Sequence, residues 1–463
     1  MDAEDQPIDT EAERDEDAYA LSPKVVAAIL DAVEEGDRER LIALMEPLHA
    51  ADIADLLEQI HSDERRALIQ LYDREFDGEI LSELEESVRE EVIGFLSPQV
   101  LAEAVRELDS DDVVDLVEFL DEPQQEAILD VLEDVDRAAV ELALSYPEGS
   151  AGRLMQSEVV MAPEHWNVGQ AIDHMRSSDR LPDAFYHVIL VDPRLHPIGN
   201  VSLGRLMASG RDVPLKSITE EMFRVIPVTQ DEEDVAYAFN QYHLISAPVV
   251  NEDGRLVGQI TIDDAMIVLD EEHEEDILRL AGVGEGSLSD RVVETVKGRF
   301  PWLAVNLVTA IMASMVIAQF DGVIAQYVAL AVLMPIVASM GGNAGTQSLT
   351  VAVRAIATRD LTGSNVWRVI RREVLVGLAN GLAFALLMAV VGYFWFGSTS
   401  LAIVLAAAMI INLVIAGLAG TVIPVVLDRF NVDPALASGA FVTTVTDVVG
   451  FFAFLGFAAV YLL

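Results

Sequence analysis

The sequence predicts a multidomain protein in which an α-helical superhelix, an α/β pair of repeated modules and a connecting helix precede an all-α membrane domain of five helices. Three observations predict this: charged residues become rare near residue 300, long apolar stretches follow, and a segment is repeated within residues 153–270. The 463-residue chain has a formal net charge of −48, yet residues 301–463 contain six acids and six bases. The whole net charge therefore falls on the first 300 residues.

We expect five segments in order: a disordered acidic tail, the superhelical N-domain, the repeated pair, the connecting helix and the membrane domain. Their expected bounds are residues 1–22, 23–150, 151–270, 271–299 and 300–463. The tail has no apolar run of the kind found in a secretory signal, so we expect the acidic part to be cytosolic. The chain has no cysteine, which excludes disulfides and thiolate metal sites.

The acidic surface repels nucleic acid and concentrates cations around the protein. Two interpretations stay open: a surface that is only very soluble or halotolerant, and a surface that senses cations. No pairing of nucleophile and base, phosphate-binding loop or catalytic zinc motif is present, so we do not expect an enzyme.

Residues 23–150 have apolar positions at three-and-four spacing, with loop signals at Ser97 and Pro98 and again before Pro123. The segments DIADLLEQI and DVVDLVEFL indicate one type of helix used twice. This pattern predicts a short superhelix of stacked helices. Asp111 and Asp115 are four residues apart and should share one helix face.

The internal repeat aligns GNVSLGRLM, which begins at Gly199, with GQITIDDAM, which begins at Gly258, and each copy follows an apolar strand pattern. It predicts two β-turn-β-helix modules. The run DDAMIVLDEEHEEDILRLAGV follows as a long acidic helix. A solvated acidic face would explain that helix, and so would a cation-binding face.

Five apolar stretches are long enough to cross a bilayer as α-helices. They cover residues 301–320, 324–353, 374–396, 401–427 and 434–463. The bases lie before the first span and in the second-to-third and fourth-to-fifth connections, which predicts a cytoplasmic N-terminus and an external C-terminus. Five spans enclose a water-filled path poorly, so we expect a symmetric homodimer, embedded in membrane lipid, with the path on its two-fold axis.

Asp447 lies in the middle of the fifth span, where an ionised carboxylate is costly and no base is near in sequence. A carboxylate that lines a cation path is the functional interpretation. The structural alternative is an Asp447 that is protonated or hydrogen-bonded to Thr443, Thr444 or a nearby Asn. The lack of an ATPase motif and of a second buried ionisable group in the spans favours passive flow.

The second span contains the segment PIVASMGGNAGTQSLT, in which Pro335 should break the helix and the glycines should expose backbone carbonyls. Asn343 and Gln347 should share one face as neutral oxygen ligands. Helix packing through small residues is the alternative. Oxygen ligands without sulfur or imidazole suit Mg²⁺ or Ca²⁺, and Mg²⁺ keeps several of its waters.

The segments GGNAGTQS and DPALASGAFVTTVTDVVGFF resemble the two signature regions of MgtE-type magnesium transporters, in the same order and at a similar separation. The resemblance covers almost the whole chain after the acidic tail. It implies import of Mg²⁺ across the inner membrane through a pore in which Asp447 binds the ion and Asn343 assists. The chain departs from the family at Ala440, where relatives commonly have proline. The expected pore residues are Asp447, Asn343, Gly342, Gln347 and Thr443.

The resemblance also implies that the repeated pair is a tandem of CBS modules and that the acidic helix is a plug at the cytoplasmic mouth. CBS pairs often bind adenine nucleotides such as ATP, although no residue set in this sequence identifies a nucleotide site. The family's feedback implies that high cytosolic Mg²⁺ closes the path.

Packed like charges repel, and divalent ions that bridge them remove the repulsion. We therefore expect regulatory Mg²⁺ ligands among the acids of the soluble part and the mouth of the path: Asp111, Asp115, Glu220, Glu233, Asp264, Glu272, Glu275, Asp276 and Asp433. Glu275, Asp276 and Asp433 match the family by position, whereas Glu220 and Glu233 are chosen from acid density alone.

Two other functions stay open. One is a transporter for another divalent ion such as Co²⁺, which would gain from His or Cys ligands that the path lacks. The other is a membrane-anchored CBS sensor that transports nothing, for which replacement of Asp447 by Asn should leave function intact.

Overall fold

The computed structural model of the chain describes residues 21–463 except residues 119, 121, 179–180, 183, 222, 284–291 and 431. The side chains of residues 86, 294 and 436–438 are also outside the description. The expected acidic tail at residues 1–22 falls almost wholly outside the described residues. The described residues divide after Glu271 into two compact units.

The first unit begins with short helices joined by tight turns, several of which start at a capping residue. Ser97 caps the helix that begins at Pro98, because its hydroxyl accepts from the Val100 N–H at 3.3 Å. The helices are α1 (Pro23–Glu35), α2 (Arg38–Met45), α3 (Ala50–Gln59), α4 (Ser62–Tyr72), α5 (Glu79–Ser82), α6 (Glu86–Phe95), α7 (Pro98–Glu107), α8 (Ser110–Glu118), α9 (Glu122–Leu129) and α10 (Asp134–Leu144).

The core of this superhelix is a continuous apolar cluster that takes residues from each helix face with three-and-four spacing. Leu56, Leu57 and Leu116 are fully or almost fully buried in it. Arg65 is also buried, but its guanidinium donates to the Leu57 carbonyl at 2.7 Å and pairs with Glu91, so its charge is compensated.

The α/β part consists of two copies of one three-stranded unit. The elements are α11 (Ala151–Leu154), β1 (Met161–Pro163), α12 (Val168–Ser177), β2 (His187–Val191), β3 (Pro197–Ser202), α13 (Leu203–Ala208), β4 (Ile226–Pro227), α14 (Glu232–Tyr242), β5 (Ser246–Val250) and β6 (Leu256–Thr261). In each copy the first strand pairs parallel to the second and the second pairs antiparallel to the third. Each antiparallel pair has a register shift at an equivalent place, beside Val191 and Val250. The predicted repeat is confirmed.

Helix α15 (Ile262–Leu280) continues from β6 and extends across the division between the two units. The membrane unit contains α16 (Val292–Ala318), α17 (Asp321–Gln326), α18 (Ala329–Ala357), α19 (Val366–Phe396), α20 (Thr399–Arg429) and α21 (Pro434–Tyr461). Among the described residues, five of these are long and apolar enough to cross a membrane. The expected second span begins with a separate short helix, α17, because Tyr327 leaves helical geometry.

The helix break expected at Pro335 is wrong, because α18 continues through this residue without interruption. A proline removes only one N–H from the helix, and membrane helices tolerate that loss when neighbouring helices support them. The glycine-rich stretch therefore keeps its carbonyls in helical geometry. Helix α20 is the most buried of the membrane helices, whereas α16 is almost wholly exposed and packs mainly against α21.

Candidate functional site

One face of α18 is polar and exposed over about three turns. It carries Ser339, Asn343, Thr346, Gln347 and Thr350 at three-and-four spacing. The amide of Asn343 lies 3.5 Å from the Ser339 hydroxyl. The sequence analysis identified Asn343 and Gln347 but missed the two threonines, although this spacing of polar residues in an apolar span was the signal for them.

The opposite face of α18 is built from small residues that allow close helix packing. Gly341, Gly345 and Ser348 are buried there, about 180° around the helix from the polar face at roughly 100° per residue. A Cβ at Gly345 would lie 2.6 Å from Cγ1 of Val442 on α21. Gly345 therefore fixes the contact between the two helices that carry the expected pore residues.

Asp447 is half-buried at the middle of α21. Within the described part of the chain no basic side chain pairs with it. The hydroxyls of Thr443 and Thr444 donate to the carbonyls of Gly439 and Ala440 in their own helix, at 2.9 and 2.6 Å, so neither bonds to Asp447. The carboxylate thus has free lone pairs near the bilayer centre, and a cation or its waters could use them.

The membrane unit contains a second buried acid, Glu373, which contradicts the expectation that there is none. It lies two turns inside α19, is 8 % exposed and accepts a hydrogen bond from Ser348 at 3.0 Å. Its backbone is covered by Gly417 of α20, which has no side chain to keep the helices apart. The sequence analysis began the third span at residue 374 and left Glu373 just outside it, so its burial was missed.

In the first unit, Asp111 and Asp112 at the start of α8 lie close to Asp264 at the start of α15. Burial and the charge of Asp264 raise the pKa of Asp111 well above its usual range, and the same two causes raise the pKa of Asp112 to about 7. Burial also raises the pKa of Asp264, although the Thr261 hydroxyl donates to it at 2.5 Å. The three carboxylates therefore repel one another when ionised.

Other predicted ligands lie apart from this carboxylate cluster. Asp115 is exposed and pairs with Arg89 at 2.5 Å, so it lies outside this cluster, and its metal-binding role stays a prediction. Asp112, which the sequence analysis did not select, is the second α8 carboxylate of the cluster. Glu220 lies 3.6 Å from Nε2 of the buried His187.

Where the end of α15 meets the start of α21, Arg279 joins two of the predicted metal ligands. Its guanidinium donates to Asp433 at 2.7 Å and also pairs with Glu275. Asp433 in turn caps α21 by accepting from the Ala435 N–H at 2.7 Å. Burial and the charge of Asp433 raise the pKa of Asp276. The expected acidic cluster is present, and it includes a positive charge, the Arg279 guanidinium, that the sequence analysis did not expect there.

Within the described ranges, no three His, Asp or Glu side chains are arranged as a closed metal site. Glu233 and Glu272 lie on α14 and α15, and their metal-binding role stays a prediction. A hydrated ion needs no closed cage, because its waters can reach carboxylates that are too far apart for direct binding.

A cavity of about 450 Å³ opens between the two α/β modules. Its lining includes Tyr186, His187 and Asn200 of the first module and Tyr242 of the second, and the Arg224 guanidinium lies 3.4 Å from the Tyr242 ring centroid. Oδ1 of Asn200 is buried and has no hydrogen-bond partner among the described residues. The cavity thus offers aromatic rings, one guanidinium, the Glu220 carboxylate and one free acceptor.

Three family models match this chain. A model described as a divalent cation transporter, MgtE, matches residues 334–457; the MgtE intracellular N domain matches residues 48–149; and the CBS domain matches residues 214–271. The matched parts include the polar face of α18, Asp447, the carboxylates of α8 and Asp264.

Curated relatives match over nearly the full length. The magnesium transporter MgtE of Thermus thermophilus is 31 % identical over 444 residues, which is 95 % of this chain and 98 % of the relative. The magnesium transporter MgtE of Bacillus subtilis is 28 % identical over 443 residues, again 95 % of this chain and 98 % of the relative. A solved structure of the cytosolic domain of the Mg²⁺ channel MgtE in complex with ATP is 28 % identical and covers 52 % of this chain and 99 % of that chain, with a TM-score of 0.49.

Proposed function

Because this chain belongs to the MgtE family of divalent cation transporters, we propose that it is a multi-pass channel or transporter that imports Mg²⁺ across the cytoplasmic membrane. Two observations carry this proposal: the exposed polar face of α18, and the half-buried carboxylate of Asp447 at the middle of α21, which no basic side chain of the described residues pairs with. A set of amide, hydroxyl and carboxylate oxygens, without sulfur or imidazole, suits hydrated Mg²⁺.

The transporter works as a homodimer. A polar face on a membrane helix is costly when it meets lipid, so the exposed face of α18 needs another polar surface or water. A second copy related by a two-fold axis supplies both, with the two α18 faces and the two Asp447 carboxylates around one path. Two carboxylates balance the charge of one divalent ion. Because Arg354 and Arg429 lie in the last turns of α18 and α20, the N-terminus is cytoplasmic and the C-terminus is outside.

Cytosolic Mg²⁺ closes this path by neutralising packed carboxylates. The ionised carboxylates of Asp111, Asp112 and Asp264 repel one another, which adds to burial in raising the pKa values of Asp111 and Asp112. Asp276 and Asp433 repel each other at the mouth of the membrane unit. Ions that bind these carboxylates favour the packed state, and by linkage they must bind that state more tightly than the open one.

The cavity between the CBS modules binds an adenine nucleotide. Its tyrosines can stack on a base, Arg224 can pair with a phosphate, and the free Asn200 oxygen can accept from an exocyclic amine. Mg²⁺ transport and nucleotide binding are separate parts of this proposal, because the cavity lies in the first unit.

The test compares Mg²⁺ uptake into proteoliposomes by the wild type and by Asp447→Asn at matched reconstitution. We expect uptake to disappear in the variant, and we expect cobalt hexaammine, which resembles hydrated Mg²⁺, to block the wild type. Asp321→Asn, at an exposed acid at the start of α17, is the matched control and should transport normally. Equal uptake by Asp447→Asn would contradict the pore and favour a sensor without transport. Uptake of Co²⁺ in preference to Mg²⁺ would contradict the proposed ion.

A further inference from the structure

Asn412 of α20 is a fully buried amide that lies between glycines of two other membrane helices. Its exposure is 0 %. A Cβ at Gly450 of α21 would lie 2.9 Å from its Nδ2, and a Cβ at Gly341 of α18 would overlap the amide. The Asn412 side chain therefore contacts the backbones of α18 and α21 at once, and only glycine leaves room for it on either side.

Among the described residues, the NH₂ group of the Asn412 amide has a hydrogen-bond partner and its oxygen has none. Its Nδ2 donates to the Val337 carbonyl of α18 at 2.7 Å. Its Oδ1 is buried and has no hydrogen-bond partner among the described residues. An unpaired buried amide oxygen costs about 1–3 kcal/mol, which an apolar side chain of the same size would avoid. Packing energy alone therefore does not account for an amide at this position.

Asn412 contacts α18 on the face opposite its polar residues, and it contacts α21 at Gly450, which lies one turn from Asp447 on nearly the same face. On α18, Gly341 precedes Asn343 by two residues, or about 3 Å of helix rise, and lies on the buried face. On α21, Gly450 follows Asp447 by three residues, or about 4.5 Å of rise. A change in the Asn412 side chain would therefore alter the spacing or rotation of both helices beside the path.

We propose that Asn412 is a positioning residue that sets the distance between the α18 polar face and Asp447, and thereby determines which hydrated cation fits the path. This inference rests on the proposed pore. The hydrogen bond to Val337 holds the rotation of α18, while the contact with Gly450 holds α21 against the same side chain. Asn412 itself does not touch the ion.

The experiment measures ion selectivity of the full chain in proteoliposomes for wild type, Asn412→Ala and a matched control, Met409→Ala. Met409 is also 0 % exposed on α20, but it belongs to the apolar cluster. For Asn412→Ala we expect the concentration of cobalt hexaammine that halves Mg²⁺ uptake, and the ratio of Mg²⁺ to Ca²⁺ uptake, to change by roughly 3- to 10-fold, as expected for loss of one hydrogen bond. Met409→Ala should lower thermal stability and leave both values unchanged.

Gly341→Ala provides a second test, because its methyl group displaces the amide without removing it. We expect this variant to change selectivity in the presence of Asn412 and to add nothing in the Asn412→Ala background. Unchanged selectivity in Asn412→Ala, or the same change in Met409→Ala, would overturn the inference. If Asn412→Ala does not reconstitute, unchanged selectivity in Gly341→Ala overturns it. If Asp447→Asn loses uptake while one of these results is found, the proposed pore stands and only the role of Asn412 is refuted.

Discussion

The carboxylate cluster at the start of α8 makes the first unit sensitive to pH, and Asp112→Asn should remove the share of that sensitivity that Asp112 contributes. The folded unit raises the pKa of Asp112 from 3.8 to about 7. The folded state therefore binds more protons than the unfolded state between these values, so the free energy of unfolding falls as pH rises from about 4 to 7. Below about pH 4 Asp112 is protonated in both states and costs no stability. Above about pH 7 it is ionised in both states, and its full destabilisation of the folded unit is present.

The size of the effect follows from the shift. Each pKa unit corresponds to 1.36 kcal/mol, so ionised Asp112 destabilises the unit by at most about 4 kcal/mol at pH 8. Asparagine has the same shape and no charge. Asp112→Asn should therefore raise the Tm of the first unit at pH 8 without Mg²⁺, by about 10 °C at most for a unit of this size. Mg²⁺ should stabilise the wild type at pH 8 much more than at pH 5.5, and the variant less than the wild type.

The assay can follow the first unit inside the full chain, because Trp166 is the only tryptophan in residues 1–271. Replacement of Trp302, Trp367 and Trp395 by Phe leaves a fluorescence signal for that unit alone. Glu103→Gln, at an exposed acid of α7, is the control and should leave the Tm almost unchanged. A lower Tm for Asp112→Asn at pH 8 without Mg²⁺, or equal Mg²⁺ stabilisation at both pH values, would refute the reasoning.

Three further predictions concern other contacts. In Arg279→Gln, Asp433 loses its ion-pair partner. Uptake without cytosolic-side Mg²⁺ should then rise about 2- to 5-fold, as expected for loss of an ion pair worth up to about 1 kcal/mol, while saturating Mg²⁺ still inhibits. Unchanged basal uptake would contradict this role of Arg279. Gly345→Val should separate α18 from α21, abolish uptake and lower the free energy of unfolding by at least about 1–3 kcal/mol. Gly456→Ala on α21, where the added methyl group meets open space, is the control and should be tolerated. Equal uptake by both variants would argue against the contact. Asn200→Ala should weaken ATP binding, measured by calorimetry, by roughly 3- to 10-fold without changing Mg²⁺ uptake in the absence of nucleotide, and unchanged affinity would exclude Asn200 from the nucleotide site.

The sequence predicted the parts of the fold that depend on local pattern. Five apolar stretches of this length predict helices long enough to cross a membrane, and two aligned strand-helix segments predict a repeat; the described residues contain five such helices and two copies of one three-stranded unit. The family was also identified correctly from the residues around Asn343 and Asp447. These features follow from hydrophobic length and from short motifs, which need no knowledge of distant contacts.

The errors concern residues whose environment is set by distant parts of the chain. Arg279 and Asp433 are 154 residues apart, so no local pattern pairs them. Asp112 and Asp115 lie on the same helix, and the pKa of Asp112 is raised by burial and by the charge of Asp264, which is 152 residues away in sequence. The burial of Glu373 depends on a glycine of α20, which its own helix does not reveal.

The packing of α21 has a mechanical consequence. Leu280, at the end of α15, packs against the apolar cluster that includes Ala435 and Val442 of α21, and Arg279 is bonded to the residue that caps this helix. Helix α16, which follows in sequence, also packs mainly against α21. The chain entering the membrane thus contacts α21 at two places, through the end of α15 and through α16, and Asp447 lies on α21. A displacement of the entering chain by one residue, about 1.5 Å along a helix, would therefore act on the same helix that carries the carboxylate.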